Sequence, residues 1–161
     1  MEDQKTGPRY YGMRKYVFER DGYELWLASD WHPHKMADGR KGTIYIPNEA
    51  DPDTCFLAEK VLLDYGVRPK DVPLLRGGFK AGLASLPGCE IEFEDETITP
   101  TLMVFEARFT FLEGEARRKR WVRNVYWGEG QLILIAQGSS PEMFAYWLPM
   151  FTNIMLTAKI T

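Results

Sequence analysis

The chain has 161 residues and a formal charge of −3, the size of one domain and too little charge to draw the whole molecule toward nucleic acid or anionic lipid. Hydrophobic residues make up 45% of it, and no linker divides it, so one core burying roughly 70% of the unfolded surface is expected without disulfide or metal. The longest apolar run is far too short to cross a bilayer, which excludes insertion as a helix.

Two cysteines, Cys55 and Cys89, without Cys-x-x-Cys spacing, and a polar opening Met1-Glu2-Asp3-Gln4-Lys5 fit a reduced, cytoplasmic compartment. Residues 1–14 carry charges, Gly7-Pro8 and Tyr10-Tyr11 but no sustained period, and read as a loose arm before a single domain over 15–161.

Tyr16-Val17-Phe18-Glu19 and Tyr23-Glu24-Leu25-Trp26-Leu27 flank Asp21-Gly22, a dipeptide that tolerates positive φ, and predict a hairpin. His32-Pro33-His34 and Asp38 to Gly42 then read as a polar loop before a strand Thr43-Ile44-Tyr45-Ile46-Pro47. Asp51 as cap, Pro52 at the first helical position and Gly66 as terminator bracket a predicted helix, with Leu57, Ala58, Val61, Leu62 and Tyr65 on one stripe. Asp71-Val72-Pro73 repeats the start signal for a second helix, with Leu75, Phe79, Leu83 and Leu86 facing inward. Gly77, Gly78 and Gly82 each cost that helix about 1 kcal/mol relative to Ala.

From Cys89 onward the period changes to two. Ile91 and Phe93 alternate with Glu90, Glu92 and Glu94, and Met103, Phe105, Ala107, Phe109 and Phe111 alternate with Val104, Glu106, Arg108 and Thr110. A basic strand Arg117 to Trp127 follows, then a Gly128-Glu129-Gly130 turn. Leu132 to Ala136, apolar on both faces, belongs near the centre of a sheet. A closing helix is capped by Ser140 or, with Glu142 completing a capping box, by Ser139. Its stripe is Phe144, Trp147, Leu148, Phe151, Ile154 and Met155, and Pro149 should kink it.

This order of elements, with Gly22-Tyr23-Glu24-Leu25, Trp31 and a Ser140-Pro141-Glu142 helix carrying Phe144 and Phe151, resembles the PsbP-like superfamily over about Lys15 to Ile160. That group includes the extrinsic photosystem II protein, a transport factor acting on the GTPase Ran, and many bacterial domains of unassigned role. The resemblance implies an α+β domain, an α/β/α sandwich on a mainly antiparallel twisted sheet of about six or seven strands. It further implies a non-catalytic module for binding another protein. It supplies no residue-by-residue binding set.

The candidate chemistry is sparse. Arg117-Arg118-Lys119-Arg120-Trp121-Val122-Arg123, with Tyr126 and Trp127, could bind nucleic acid or an acidic protein surface. Equally, Arg118 and Arg120 could complete a cross-strand ladder with Glu90, Glu92 and Glu94 through Glu106 and Arg108. Arg108, Arg118, Arg120 and Arg123, with Trp31 beside its polar loop, are the expected partner-binding residues. Asp30, His32 and His34 could begin a metal site for a small enzyme, though no fourth ligand is designated and a turn explains them as well. Glu92, Glu94 and Glu96 could hold calcium, but alternation sends them outward in a row. Gly77 to Gly82 lacks the Gly-Lys-Ser/Thr order of a phosphate loop and reads as close helix packing or a local break. Gly138-Ser139-Ser140 is not a nucleophile elbow, and caps a helix instead. No catalytic set, metal or cofactor is expected.

Overall fold

The computed structural model describes Pro8 and residues 12–161. Most of the expected arm, including Tyr10-Tyr11, lies outside them. The first strand already begins at Met13.

Strands β1 (Met13–Phe18) and β2 (Tyr23–Ala28) form the predicted hairpin. Phe18 O accepts from the amides of Asp21 and Gly22, and only Gly22 takes positive φ (77°), so the turn is wider than a two-residue one. The segment expected to be a polar loop is strand β3 (His32–Lys35), paired with β4 (Lys41–Ile46). β3 lies at a sheet edge, where Pro33 loses nothing by lacking an N–H on the open side.

The predicted helix over 51–66 is not one. It contains strand β5 (Cys55–Leu62), hydrogen-bonded to β4 on one side and to a later strand on the other. Phe56 and Ala58 point into the core with period two. Glu59, on the other face, is also buried, and the helical stripe through Leu57, Val61 and Leu62 was coincidence. Asp51 caps a turn: its carboxylate accepts from the hydroxyls of Thr54 (2.6 Å) and Ser139 (2.9 Å).

Helix α1 (Val72–Ala84) starts where Asp71-Val72-Pro73 places it and buries the expected side. Strands β6 (Glu90–Ile98), β7 (Met103–Glu113), β8 (Ala116–Trp127) and β9 (Gly130–Gly138) run antiparallel in sequence. Helix α2 (Pro141–Thr157) is capped by Ser140, whose Oγ accepts from Met143 N at 3.1 Å, and runs through Pro149. A two-residue strand, β10 (Lys159–Ile160), returns to β2.

The large sheet has the order β3-β4-β5-β9-β8-β7-β6, so the doubly apolar β9 is its middle strand, as its composition requires. A second sheet, β1-β2-β10, is the element the sequence did not announce. Alternation along β7 and β8 sends Val104, Trp121 and Val125 to one face, against Phe144, Phe151 and Ile154 of α2 and Leu25 of β2. It sends Ala107, Phe109, Phe111 and Val122 to the other, against Leu83 and Phe79 of α1. Helices on both faces of an antiparallel sheet make the α/β/α sandwich. No helix among the described residues is long and apolar enough to cross a membrane.

Candidate functional site

The sheet determines what each charged side chain can reach. On β8, Arg118 and Arg120 share the α1 face, because they stand opposite Phe111 and Phe109. The Arg118 guanidinium donates to Ser139 O (3.0 Å) and contacts Asp53 (3.2 Å) and Glu113 (3.3 Å). Arg120 donates to Gln137 Oε1 and lies 4.4 Å from the Phe111 ring centroid, where burial pulls its pKa below the ordinary value. Lys119 and Arg123 face the opposite way, toward α2. Lys119 pairs with Glu92 (2.7 Å), and Arg123 with Glu106 (3.1 Å) and Met155 O (3.1 Å). Arg123 Nε is close to Glu106 as a charge but makes no aligned hydrogen bond.

The ladder considered for Arg118 and Arg120 therefore runs through Lys119 and Arg123 instead, on the other face of the same strand. Arg108 differs from the rest. Its guanidinium stacks 4.1 Å from the Trp121 ring centroid, and it makes no ion pair among the described residues.

Trp31 is not at a groove. It is 3% exposed, edge-on to Trp147 and Phe151 in the main core. Asp30, His32 and His34 do not gather with further ligands; His34 Nε2 contacts Glu49 at 2.8 Å, and no group of three or more His, Cys, Asp or Glu side chains placed to hold a metal ion occurs among the described residues. Gly77, Gly78 and Gly82 neither approach another element nor interrupt α1, since a Cβ on each would meet nothing within 4 Å.

What sequence reading passed over is the far edge of the large sheet. β6 pairs only with β7, and all nine of its residues are exposed. Five of the nine are carboxylates: Glu90, Glu92, Glu94, Asp95 and Glu96. A register shift between Ile91 and Phe93 puts a bulge at Glu92, so the three glutamates do not form one row. Glu92 reaches Lys119 on the α2 side. Glu94 and Glu96 stand opposite Ala107 and Phe105 on the α1 side, where Arg76 binds Glu96 and holds its carboxyl below the usual range. Glu90, Glu94 and Asp95 form no ion pair among the described residues.

Among these charges lie exposed apolar side chains, Ile91 (48%), Phe93 (46%) and Ile98 (39%). Phe93 is the cross-strand neighbour of Arg108, which in turn neighbours Trp121, so an aromatic, a cation and an aromatic follow one another across three strands. Under the α1 side of the edge, Arg76, Phe79, Lys80, Glu94 and Phe105 line a cleft of about 280 Å³. The signal available in the sequence was the acidic alternation around Phe93. Its position at an edge was not.

The architecture defines a class, proteins with the PsbP-like fold. Cyanobacterial PsbP (CyanoP) from Synechocystis superposes with a TM-score of 0.66 at 10% identity, over 99% of this chain and 98% of that one. LpqN of Mycobacterium tuberculosis, involved in cell envelope biogenesis, gives 0.61 at 17% identity, over 94% and 92%. The Ran-binding protein Mog1p of Saccharomyces cerevisiae gives 0.54 at 6% identity, over 92% and 95%. No family model matches the chain, and no curated protein matches it in sequence. Likeness at such low identity establishes the fold.

Proposed function

We propose that this chain is a non-catalytic binding module whose partner is another protein, engaged at the β6 end of the large sheet. The observation that carries this reading is a nine-residue edge strand, exposed throughout, with apolar side chains set among five carboxylates, of which Glu90, Glu94 and Asp95 form no ion pair among the described residues. Isolated exposed apolar residues are ordinary, but here three occur on one edge strand, Ile91 and Ile98 on its α1 face and Phe93 on its α2 face, so both faces of the edge offer apolar contact. The fold adds support, since a Ran-binding protein is built on it.

Within the expected basic set, Arg108 belongs to this surface because it adjoins Phe93 and has no carboxylate partner. Arg118, Arg120 and Arg123 stand apart from it, each occupied by contacts inside the chain. The rival readings gain nothing comparable: the nucleic-acid reading needs Arg118 and Arg120 free, and the metal reading needs ligands that converge on Asp30, His32 and His34.

The test is affinity capture from the source cell with the wild type and with the double variant Glu94→Lys, Asp95→Lys. Both residues are exposed, so the variant should melt close to the wild type. The partner recovered with the wild type should be lost with the variant. Recovery of the same partner in the same amount by both would overturn the reading.

A further inference from the structure

The edge has a second property, independent of its charge. In an edge strand every other residue presents its N–H and C=O outward with no neighbour to receive them, and such an edge pairs with any compatible extended chain. The large sheet ends in two edges of very different quality. β3 is four residues long and contains Pro33, which limits pairing. β6 is long and, beyond its bulge, regular: Phe93 to Ile98 keeps an unbroken register against Arg108 to Met103. These six residues span about 20 Å at 3.3 Å per residue. Their carboxylates repel a second copy of the same strand, which prevents self-pairing, and they leave an attraction for a strand of opposite charge.

Resting on the reading that this end binds a protein, we propose the mode: an extended segment of the partner adds to β6 as an eighth strand of the large sheet. Its side chains follow from the register. Glu94 points to the α1 face and Asp95, the next residue, to the α2 face, as their opposition to Ala107 and Glu106 requires. The incoming segment therefore carries two consecutive lysines or arginines, one for each face. Phe93, on the α2 face with Asp95, calls for an apolar residue opposite it, and Ile98 calls for another on the α1 face. Cross-strand neighbours stand about 5 Å apart, close enough for each pair to act directly. Main-chain hydrogen bonds supply attachment and these side chains supply choice.

A palindromic probe makes the test insensitive to strand direction. Acetyl-Val-Lys-Val-Lys-Lys-Val-Lys-Val-amide, fluorescein-labelled, is titrated with the full chain and followed by anisotropy, beside its fully N-methylated counterpart and a counterpart with Glu for Lys. Amide hydrogen exchange is then measured with and without the probe. The expected result is saturable binding by the lysine peptide, at least tenfold weaker binding by the other two, and slowed exchange confined to β6. Glu94→Lys with Asp95→Lys should weaken the lysine peptide at least tenfold, and raising the salt should weaken it further, because the charges are exposed.

Equal binding by the N-methylated peptide, or no binding by the lysine peptide, would overturn strand addition. If the double variant still loses the captured partner in that case, protein binding at this edge survives and only the mode fails. If capture is unchanged, the functional reading itself fails. Concentration-dependent oligomers that the double variant abolishes would identify a second copy of this chain as the occupant and overturn the assignment to a separate partner.

Discussion

Glu59 is a buried carboxylate held by both arms of one guanidinium: Arg40 donates from Nε at 2.8 Å and from a terminal nitrogen at 2.6 Å. Glu59 sits in the central part of the sheet on β5, while Arg40 comes from the loop between β3 and β4 and is half exposed. The pair ties that loop to the sheet. Its loss leaves the carboxylate without a partner in a site only 6% exposed.

Arg40→Ala is therefore expected to destabilise the chain by about 1 to 2 kcal/mol, between the values for exposed and fully buried pairs because water reaches the guanidinium. Urea unfolding measures this. Arg40→Ala with Glu59→Gln should recover part of the loss, since the buried charge goes with its partner. No recovery would show that Arg40 acts through packing alone.

At Gly138 the first turn of α2 rests directly on the end of β9, and a Cβ there would lie 2.3 Å from Phe144 N and 2.6 Å from its Cα. Backbone is the obstacle, so rotamers cannot relieve it. Gly138→Ala should cost about 1 to 3 kcal/mol by overpacking, seen as a lower melting temperature. A neutral result would mean that α2 does not sit this close.

The glycines of α1 predict the opposite sign. A Cβ at Gly78 meets nothing within 4 Å, and the residue is exposed on a continuous helix. Gly78→Ala should raise stability by about 0.5 to 1 kcal/mol through helix propensity. A loss of stability would show that something packs on this face.

Burial pushes the Cys55 thiol up to about 11 and raises that of Cys89 less strongly. Thiolate is the reactive form, so iodoacetamide at pH 8 should label Cys89 well before Cys55 in the folded chain. A folded-state pKa above the unfolded one means the neutral thiol is favoured by folding. That contribution is complete below about pH 9 and is lost as pH rises toward 11. Over that range the wild type should lose more stability than Cys55→Ala; parallel melting curves would contradict it.

Much of the fold was legible because local chemistry and tertiary context agree. Asp21-Gly22, Asp71-Val72-Pro73 and Ser140-Pro141 mark their turn and helix starts in place, and the period-two run from Cys89 gives four strands in order. The failures share one cause. β5 carries a charged residue at a buried position, Glu59, acceptable only because Arg40 reaches it from another element, and this disguised its alternation as a helical stripe. The polar β3 is a strand because β4 lies beside it, and Trp31 is buried because α2 covers it. The candidate site was legible as residues but not as a place. Glu94, Phe93 and Asp95 read as a solvated strand, while the open edge depends on the order β3-β4-β5-β9-β8-β7-β6, which no local pattern contains.

Site-specific cross-linking tests the functional claim most directly. A photo-reactive amino acid is placed at Phe93 on the edge and, as a control, at Leu62, which is 71% exposed at the end of β5. After irradiation in the source cell, the expected result is one protein joined to the chain from position 93 and absent from position 62, with the joined segment rich in lysine or arginine. Equal yields from both positions, or none from position 93, would contradict a binding edge at β6.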